Sequence, residues 1–517
     1  MKILLIQPKF PDTFWSFKYA LEFVDKKVCN PPLGLLTVAA MLPSSWEKRL
    51  IDLNFQELTL KDLRWCDYLF ISAMDVQRES VKQVVKLARD HSVKIVAGGP
   101  LFTGEYKDFP DIDHFILNEG EITLVEFLND LAAGHSKPVY QTDQFADIRQ
   151  SPIPLWGLLN FDAYDSMAVQ FSRGCPFNCD FCNVTALLGH RPRTKSAPQL
   201  IRELDQLYQM GWRRNIFIVD DNFIGNKKLL KEEVLPALIE WRKGKVGCYF
   251  ITEASINLAD DDELVSLMVA AGFINIFIGI ETPDEESLTE CHKTQNRSRN
   301  LVQDVHKLQK AGLHIMAGFI VGFDNDKPDI FERQIQFIQK SGIIVSMVGL
   351  LQAPYGTQLY ERLRAEGRLL TEMTGDNADG STNIVTNMDP RALSKGYQRV
   401  IQTIFSPEHL YPRIKTFLYL YNPRKSPVHM EIAEVKAFLR SIFKLGIFNK
   451  AGLRYWDLFF WTLFHFPAKL PLAITMTIYG YHFQKIAAQA LQANPVWIEK
   501  VQKARQIRTQ ALMEPGD

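Results

Sequence analysis

At 517 residues the chain is too long for one core, and at roughly 150 residues per domain it divides into about three. Hydrophobic residues make up 46% and charged residues 23%, the balance of an ordinary globular protein rather than a disordered or fibrous one. Lys+Arg and Asp+Glu both total 59, so the whole chain carries no net positive field to recruit nucleic acid, and no nucleic-acid partner is expected.

The chain opens Met1-Lys2-Ile3-Leu4-Leu5-Ile6-Gln7-Pro8, one basic residue and a short apolar run closed by proline. A secretory signal needs a longer apolar stretch and a small-residue cleavage site, so this reads as a first strand of a cytoplasmic protein. Seven cysteines, three of them within eight residues, do not form a disulfide framework; a metal or redox cluster fits better.

Residues 1–135 alternate short apolar runs, at 3–6, 50–53, 68–72, 94–97 and 114–117, with amphipathic stretches such as Val81-Val84-Val85-Ala88. That alternation implies parallel strands with crossover helices, hence an α/β doubly wound sheet. Such sheets bind ligands at the carboxyl ends of their strands. Those ends read Gln7-Pro8-Lys9, Ser72-Ala73-Met74, Gly98-Gly99-Pro100 and Glu119-Gly120-Glu121. Their small residues suit the close approach of a large flat ligand, although tight strand-to-helix turns ask for the same residues.

Residues 136–166, with Ser151-Pro152-Ile153-Pro154 in their middle, read as a linker. From 167 to 373 the rhythm resumes, with strands expected at 168–172, 215–219, 249–254, 275–280, 314–320 and 344–351. Six such units suit a partial (β/α) barrel better than a complete eight-fold one. Residues 374–517 begin with the polar break 375–381 and then read as helical. No fixed-period repeat or low-complexity tract occurs.

Directly after the first barrel strand comes Cys175-Pro176-Phe177-Asn178-Cys179-Asp180-Phe181-Cys182. Three thiolates at spacings of four and three can converge on one iron–sulfur cube, leaving one iron open. The bland alternative is a zinc site completed by His190. The stretch Ser172-Arg173-Gly174-Cys175 through Cys182 resembles the CxxxCxφC motif of radical S-adenosylmethionine (SAM) enzymes. The resemblance implies a [4Fe–4S] cluster on Cys175, Cys179 and Cys182, with SAM on the open iron and Phe181 against its adenine. Reductive cleavage of SAM to a 5′-deoxyadenosyl radical would need an electron donor of the flavodoxin or ferredoxin type. Later segments fall in the family's order. Val219-Asp220-Asp221-Asn222-Phe223 resembles the segment after the second strand. Gly279-Ile280-Glu281-Thr282 resembles the ribose contact, with Glu281 the expected partner. Gly318-Phe319-Ile320-Val321-Gly322 resembles the fifth-strand segment that meets the adenine through Gly318 and Ile320. Pro354-Tyr355-Gly356-Thr357 resembles the end of the sixth strand.

In front of such a barrel, residues 1–135 resemble the cobalamin-binding domain of the B12-dependent radical SAM class. The pieces that carry this are Asn30-Pro31-Pro32-Leu33-Gly34-Leu35 and Gly98-Gly99-Pro100. The resemblance places Gly34, Ser72, Met74, Gly98, Gly99, Glu119 and Gly120 around the corrin. The Asp-x-His-x-x-Gly motif is missing, since Pro8-Lys9-Phe10-Pro11-Asp12 follows the first strand, so cobalamin is expected without a protein histidine below cobalt. The activity implied is methyl transfer from SAM, by way of methylcobalamin, to an unactivated carbon of a small molecule or a polycyclic or isoprenoid lipid. A radical SAM rearrangement or cyclisation without net methylation is the other reading.

Between residues 411 and 455 nine Lys or Arg stand against two Glu, interleaved with aromatics, and the aromatic-rich run 455–466 follows. Pro467, Lys469 and Pro471 break that run before the length of about 20 residues a membrane span needs. Peripheral membrane contact and ordinary packing as a helical cap both account for it. The tail resembles the extra carboxy-terminal domain of the B12-binding radical SAM subgroup that includes the hopanoid C-2 methylase, most clearly in Tyr479-Gly480-Tyr481-His482-Phe483. Among smaller candidates, Cys291 reads as a redox residue or a structural thiol, and Cys29, Cys66 and Cys248 as buried thiols. Arg173 supports the cluster's charge or pairs with a carboxylate, and His190 with residues 191–193 forms a basic turn.

Overall fold

The computed structural model describes residues 1–370, 373–423, 432–492 and 496–513. The chain divides into two compact units. Met1–Pro11, Lys27–Pro176 and Val184–Tyr249 form the first; Asp12–Lys26, Phe177–Asn183 and Phe250–Asp517 form the second.

In the first unit β1 (Lys2–Gln7), β2 (Glu47–Asp52), β3 (Tyr68–Ser72), β4 (Lys94–Gly98), β5 (His114–Ile116) and β6 (Val139–Tyr140) make one parallel sheet, in the order β2-β1-β3-β4-β5-β6. Its inner strands β1, β3 and β4 are near-continuous apolar runs because both faces are covered. Alternate residues go to opposite cores. Leu4, Ile6, Leu69, Ile71, Ile95 and Ala97 pack on one side. Ile3, Leu5, Tyr68, Phe70, Val96 and Ile116 pack on the other. The strand order reverses beside β1, which opens a crevice at the carboxyl ends of β1 and β3.

β7 (Met167–Val169) and β10 (Ile216–Ile218) pair in parallel, and β8 (Ser172–Arg173) and β9 (Arg193–Thr194) form a short antiparallel ribbon. The strand expected over 168–172 therefore stops at Val169. The reason is local: the Asp220 carboxylate takes the backbone N–H groups of Phe171 and Ser172, at 2.8 and 2.7 Å, and draws them out of the ladder.

In the second unit β11 (Phe250–Glu253), β12 (Phe273–Glu281), β13 (His314–Val321) and β14 (Ser346–Leu350) lie parallel in that order. Helices Asp262–Ala271, Leu301–Ala311 and Ile330–Ser341 connect them. All six expected barrel strands are present, and the part that follows is helical, so the α/β class read from the sequence holds. Leu410, Ile414, Phe417 and Leu418 of helix Pro407–Leu420 pack with Tyr455, Leu458, Ala473 and Ile474, and Ala20 and Phe23 join the same core. Phe14 stacks on Phe483 at 4.3 Å, and His482 Nε2 lies 3.0 Å from the Phe14 carbonyl. Burial lowers the His482 pKa to about 4, against the Phe14 hydrogen bond that favours the charged ring, so His482 is a neutral pin between distant segments. Of the basic cluster read from the sequence, Arg424, Lys425 and Glu431 lie outside the described residues. Among the described residues no helix is long and apolar enough to cross a membrane.

Candidate active site

None of the seven cysteines forms a disulfide, and Cys175, Cys179 and Cys182 are half-buried. The beginning of their loop belongs to the first unit. Gly174 adopts a left-handed φ of 93°, and a Cβ there would meet the Gly189 carbonyl at 2.8 Å, so only glycine makes this turn. Asp220, just past β10, accepts from Phe171 N, Ser172 N and the Ser172 hydroxyl at 2.6 Å. Burial pushes its carboxyl up to about 7 against these hydrogen bonds. Asn222 Nδ2 donates to Cys175 Sγ at 3.7 Å. One segment after the second barrel strand thus holds both the loop's entry and its first thiol.

Arg173, two residues before Cys175, bonds Glu121 at 2.8 and 3.0 Å and Glu119 at 3.0 Å. Arg193 closes on Glu119 from the ribbon at 2.5 and 2.9 Å and donates to the Ala146 carbonyl. Ser151 adds a hydroxyl to Glu121 at 2.6 Å. Burial works against the Glu121 charge, yet the Arg173 guanidinium overrides it and holds the carboxyl down to about 2. Of the two roles open to Arg173, the structure shows pairing with carboxylates. Arg193 of the basic turn is likewise an ion-pair partner, whereas His190 is exposed.

The remainder of the loop belongs to the second unit. Asp180 is fixed through its backbone, its N–H on the Cys291 carbonyl at 3.2 Å and its carbonyl accepting from Leu359 N at 2.9 Å. Phe181 packs edge-on to Phe323 at 6.3 Å. Gln295 Nε2 donates to Cys179 Sγ at 3.7 Å. Lys293 Nζ lies 2.6 Å from Glu281 Oε1 and 5.9 Å from the Phe181 ring centre. Although burial opposes its charge, Glu281 and the thiols of Cys179 and Cys182 push the Lys293 pKa well up. Glu281 itself carries a φ of 63°, strained for a residue with a Cβ, and sits at a register shift between β12 and β13 that re-aims its side chain. A Cβ on Gly279 would strike Glu281 Oε1 at 2.3 Å and Lys293 Nζ at 2.8 Å, so the glycine keeps this corner open for the ion pair. Asn296 Nδ2 bonds the carbonyls of Gly279 and Ile280, both at 3.0 Å. Among the described residues, Gln295 Oε1 and Asn296 Oδ1 are buried acceptors without a hydrogen-bond partner. Gly318 is buried with the Phe277 ring 3.0 Å from where its Cβ would be, and Ile320 is half-buried and packs against the same core as Phe181.

The sequence reading chose Cys291 from this segment and passed over Lys293, Gln295 and Asn296. Cys291 is buried, and that burial pushes its thiol far up, the state of a structural cysteine. Cys29 and Cys66 are half-buried and Cys248 is buried. The available signal for the missed residues was a run of long polar side chains one turn past a short helix, which any surface turn also shows.

At the carboxyl edge of the first sheet, Met74 is exposed and Gln77 ties its loop to the Pro8 carbonyl at 2.6 Å. A Cβ on Gly98 would meet the Ile116 carbonyl at 2.8 Å, and one on Gly99, at φ 97°, the Ser72 hydroxyl at 2.7 Å. Packing between neighbouring strands therefore already requires both. Gly34 and Gly120 differ, since a Cβ at either would have nothing within 4 Å. Glu119 pairs with Arg193 and Arg173.

Residues 26–128 match the family model of the B12 binding domain, 169–338 that of the radical SAM superfamily, and 357–494 a domain of unknown function (DUF4070). The chain is 41% identical over 490 residues to an uncharacterized methyltransferase of Synechocystis sp., covering 93% of this chain and 91% of that one. It is 32% identical over 470 residues to the hopanoid C-2 methylase of Rhodopseudomonas palustris, with 88% of each chain covered. In fold it is similar to the cobalamin-dependent SAM radical enzyme OxsB, at TM-score 0.60 and 15% identity over 98% of this chain and 84% of that one. The methyltransferase TsrM of Kitasatospora setae gives a TM-score of 0.57 at 14% identity, over 94% and 100%. The chain belongs to the B12-binding radical SAM proteins, in the subgroup with an extra carboxy-terminal helical domain that includes the hopanoid C-2 methylase. It is a cobalamin-dependent radical SAM methyltransferase, and its cofactors are a [4Fe–4S] cluster, SAM and cobalamin.

The residues present fit these groups. In the first unit an amide N–H stands beside Cys175, and in the second another stands beside Cys179 with an ammonium near Cys179 and Cys182; half-buried thiols so supported have the donor chemistry that iron–sulfur ligation uses. Two unpaired buried acceptors next to Cys179 and Glu281 suit a cofactor that brings N–H and O–H donors.

Proposed function

We propose that the chain methylates an unactivated carbon of a polycyclic or isoprenoid lipid of the hopanoid kind, with Cys175, Cys179 and Cys182 holding the cluster. The observation that carries the substrate class is the match to the hopanoid C-2 methylase over 470 residues, 88% of each chain. Phe181, Glu281, Gly318 and Ile320 are assigned to SAM. Gly34, Ser72, Met74, Gly98, Gly99, Glu119 and Gly120 would hold the corrin, without a protein histidine as its ligand. The barrel is assigned to residues 167–373 and the corrin domain to 1–135. A flavodoxin- or ferredoxin-type carrier supplies electrons, and a lipid substrate brings the enzyme to a membrane surface in the cytoplasm.

Once bound, cluster and SAM supply a 5′-deoxyadenosyl radical and the corrin carries the methyl group. The chain's own part is positional. Lys293 offsets the negative charge of the thiolates and aligns Glu281 toward the ribose, and Gln295 and Asn296 offer acceptors to the amino and hydroxyl donors of SAM. Phe181 and Phe323 keep water from the adenine side, where a stray proton or hydrogen donor would quench a radical.

The test is anaerobic reconstitution with iron, sulfide, hydroxocobalamin and SAM, then mass spectrometry of a polycyclic lipid extract. A product heavier by one CH2, a methyl group in place of a hydrogen, with both 5′-deoxyadenosine and S-adenosylhomocysteine formed, is expected. Cys179→Ala should remove the iron–sulfur absorbance and all SAM cleavage while keeping the corrin bands. Deoxyadenosine without S-adenosylhomocysteine would overturn the reading in favour of rearrangement or cyclisation.

A further inference from the structure

Helix Gly452–His465 buries Gly452, Tyr455, Leu458 and Thr462, one face at three- and four-residue spacing. Its other face should then be polar, and it is not. Leu453 is 87% exposed and Phe464 78%, with Phe460 half-exposed between them. At 3.6 residues per turn these three lie within about 20° of one line along the helix. The π-helical turn Ile442–Ile447 just before it leads into Phe448, 81% exposed. Folding leaves these large apolar side chains in water at a cost that only a further contact offsets.

The charges around the ridge select the contact. Lys450 and Arg454 are exposed beside it. Between residues 432 and 469 the acids are Glu434 and Asp457, and Asp457 is held by Lys415 at 2.9 Å. An apolar, aromatic ridge bordered by cations matches the boundary between acyl chains and anionic headgroups, where rings sit at headgroup depth and basic side chains reach the phosphates. A second copy is disfavoured, because a two-fold contact would set Lys450 and Arg454 against their own images. With no described helix able to span a bilayer, contact must be peripheral.

We propose that this face of helix Gly452–His465, together with Phe448, docks the enzyme onto a bilayer carrying anionic lipid. The proposal deepens the lipid-substrate reading and rests on it for its purpose, but it is tested separately. The reconstituted full-length enzyme is sedimented with vesicles of phosphatidylcholine, with and without phosphatidylglycerol. Binding should be strong only with phosphatidylglycerol and should weaken with salt. Leu453→Ser/Phe464→Ser and Lys450→Glu/Arg454→Glu should each weaken it at least tenfold, with iron–sulfur and corrin spectra unchanged. Equal sedimentation of wild type and both variants would overturn the proposal. So would a dimer in solution that Leu453→Ser/Phe464→Ser dissociates. Methylation of detergent-dispersed lipid separates the two ideas. If the enzyme binds vesicles but methylates no lipid, docking stands and the substrate reading falls; if it methylates dispersed lipid but ignores vesicles, docking alone falls.

Discussion

The two ends of the cluster loop are held by buried charge in opposite ways. At the amino side, within the first unit, Arg173 and Arg193 meet Glu119 and Glu121, with Ser151 and the Ala146 backbone filling remaining positions. Two cations balance two anions, so this network anchors the loop. At the carboxyl side, within the second unit, Lys293 meets Glu281 alone, yet it also feels the thiols of Cys179 and Cys182, and neighbouring amide oxygens are unpaired. That corner is polar in excess of its own needs, as a binding corner is. Pairing alone does not tell anchor from site. What separates them is what is left over among the described residues: one donor, Arg193 Nε, at the amino side, and two acceptors, Gln295 Oε1 and Asn296 Oδ1, at the carboxyl side.

The largest effect expected from this contrast is on stability. Glu121 lies at about 2 rather than its ordinary 4.5, a gap worth about 3 kcal/mol. A depressed carboxyl stabilises the fold above pH 4.5 and loses that contribution as pH falls toward 2. Arg173→Met leaves Glu121 buried with Ser151 as its remaining partner, so urea unfolding should show a loss of about 3 kcal/mol at pH 7 that shrinks below pH 4.5. A loss independent of pH would mean that Arg173 serves through packing and that the anchor is not electrostatic.

The opposite corner should change a potential rather than the fold. Lys293→Gln removes a positive charge near the thiolates, so the reduced, more negative cluster loses more support than the oxidised one. The midpoint potential should fall by tens of millivolts, up to about 59 mV for each tenfold change in a one-electron equilibrium. Lys293→Arg should restore most of it. Redox titration followed by electron paramagnetic resonance measures both. An unchanged potential would reduce Lys293 to a structural partner of Glu281 and remove the distinction between the two ends.

Much of this was legible because it is local. The runs at 3–6, 68–72 and 94–97 are apolar on both faces, as a covered parallel sheet demands, and the three cysteines with Gly174 make their loop within ten residues. What was missed depends on contacts distant in sequence. β6 is two residues long and falls in the expected linker. Residues Asp12–Lys26 join the second unit because Phe14 and Ala20 find partners more than 300 residues later. Glu119 stands at a strand end in sequence, and the residue that holds it, Arg193, lies 74 positions on. Lys293 was passed over beside a cysteine that drew more notice, because polarity in a turn carries no sign of what it faces.

The smallest effect tests whether the two units treat their thiols alike. Asn222 and Gln295 each donate one amide N–H to a cysteine sulfur at 3.7 Å, one on Cys175 and the other on Cys179. A neutral donor at that distance supports the reduced cluster less than a full charge does, so Asn222→Leu and Gln295→Leu should each lower the potential by less than Lys293→Gln. If the amides act only through their sulfurs, the two shifts should be equal and should add in the double variant. Gln295 also carries an unpaired buried oxygen, which Asn222 does not. Gln295→Leu should therefore weaken SAM binding severalfold, measured by equilibrium dialysis with the oxidised enzyme, whereas Asn222→Leu should not. Equal losses of SAM affinity would show that the unpaired acceptor makes no contact with the cofactor, and the carboxyl side would then be as much an anchor as the amino side.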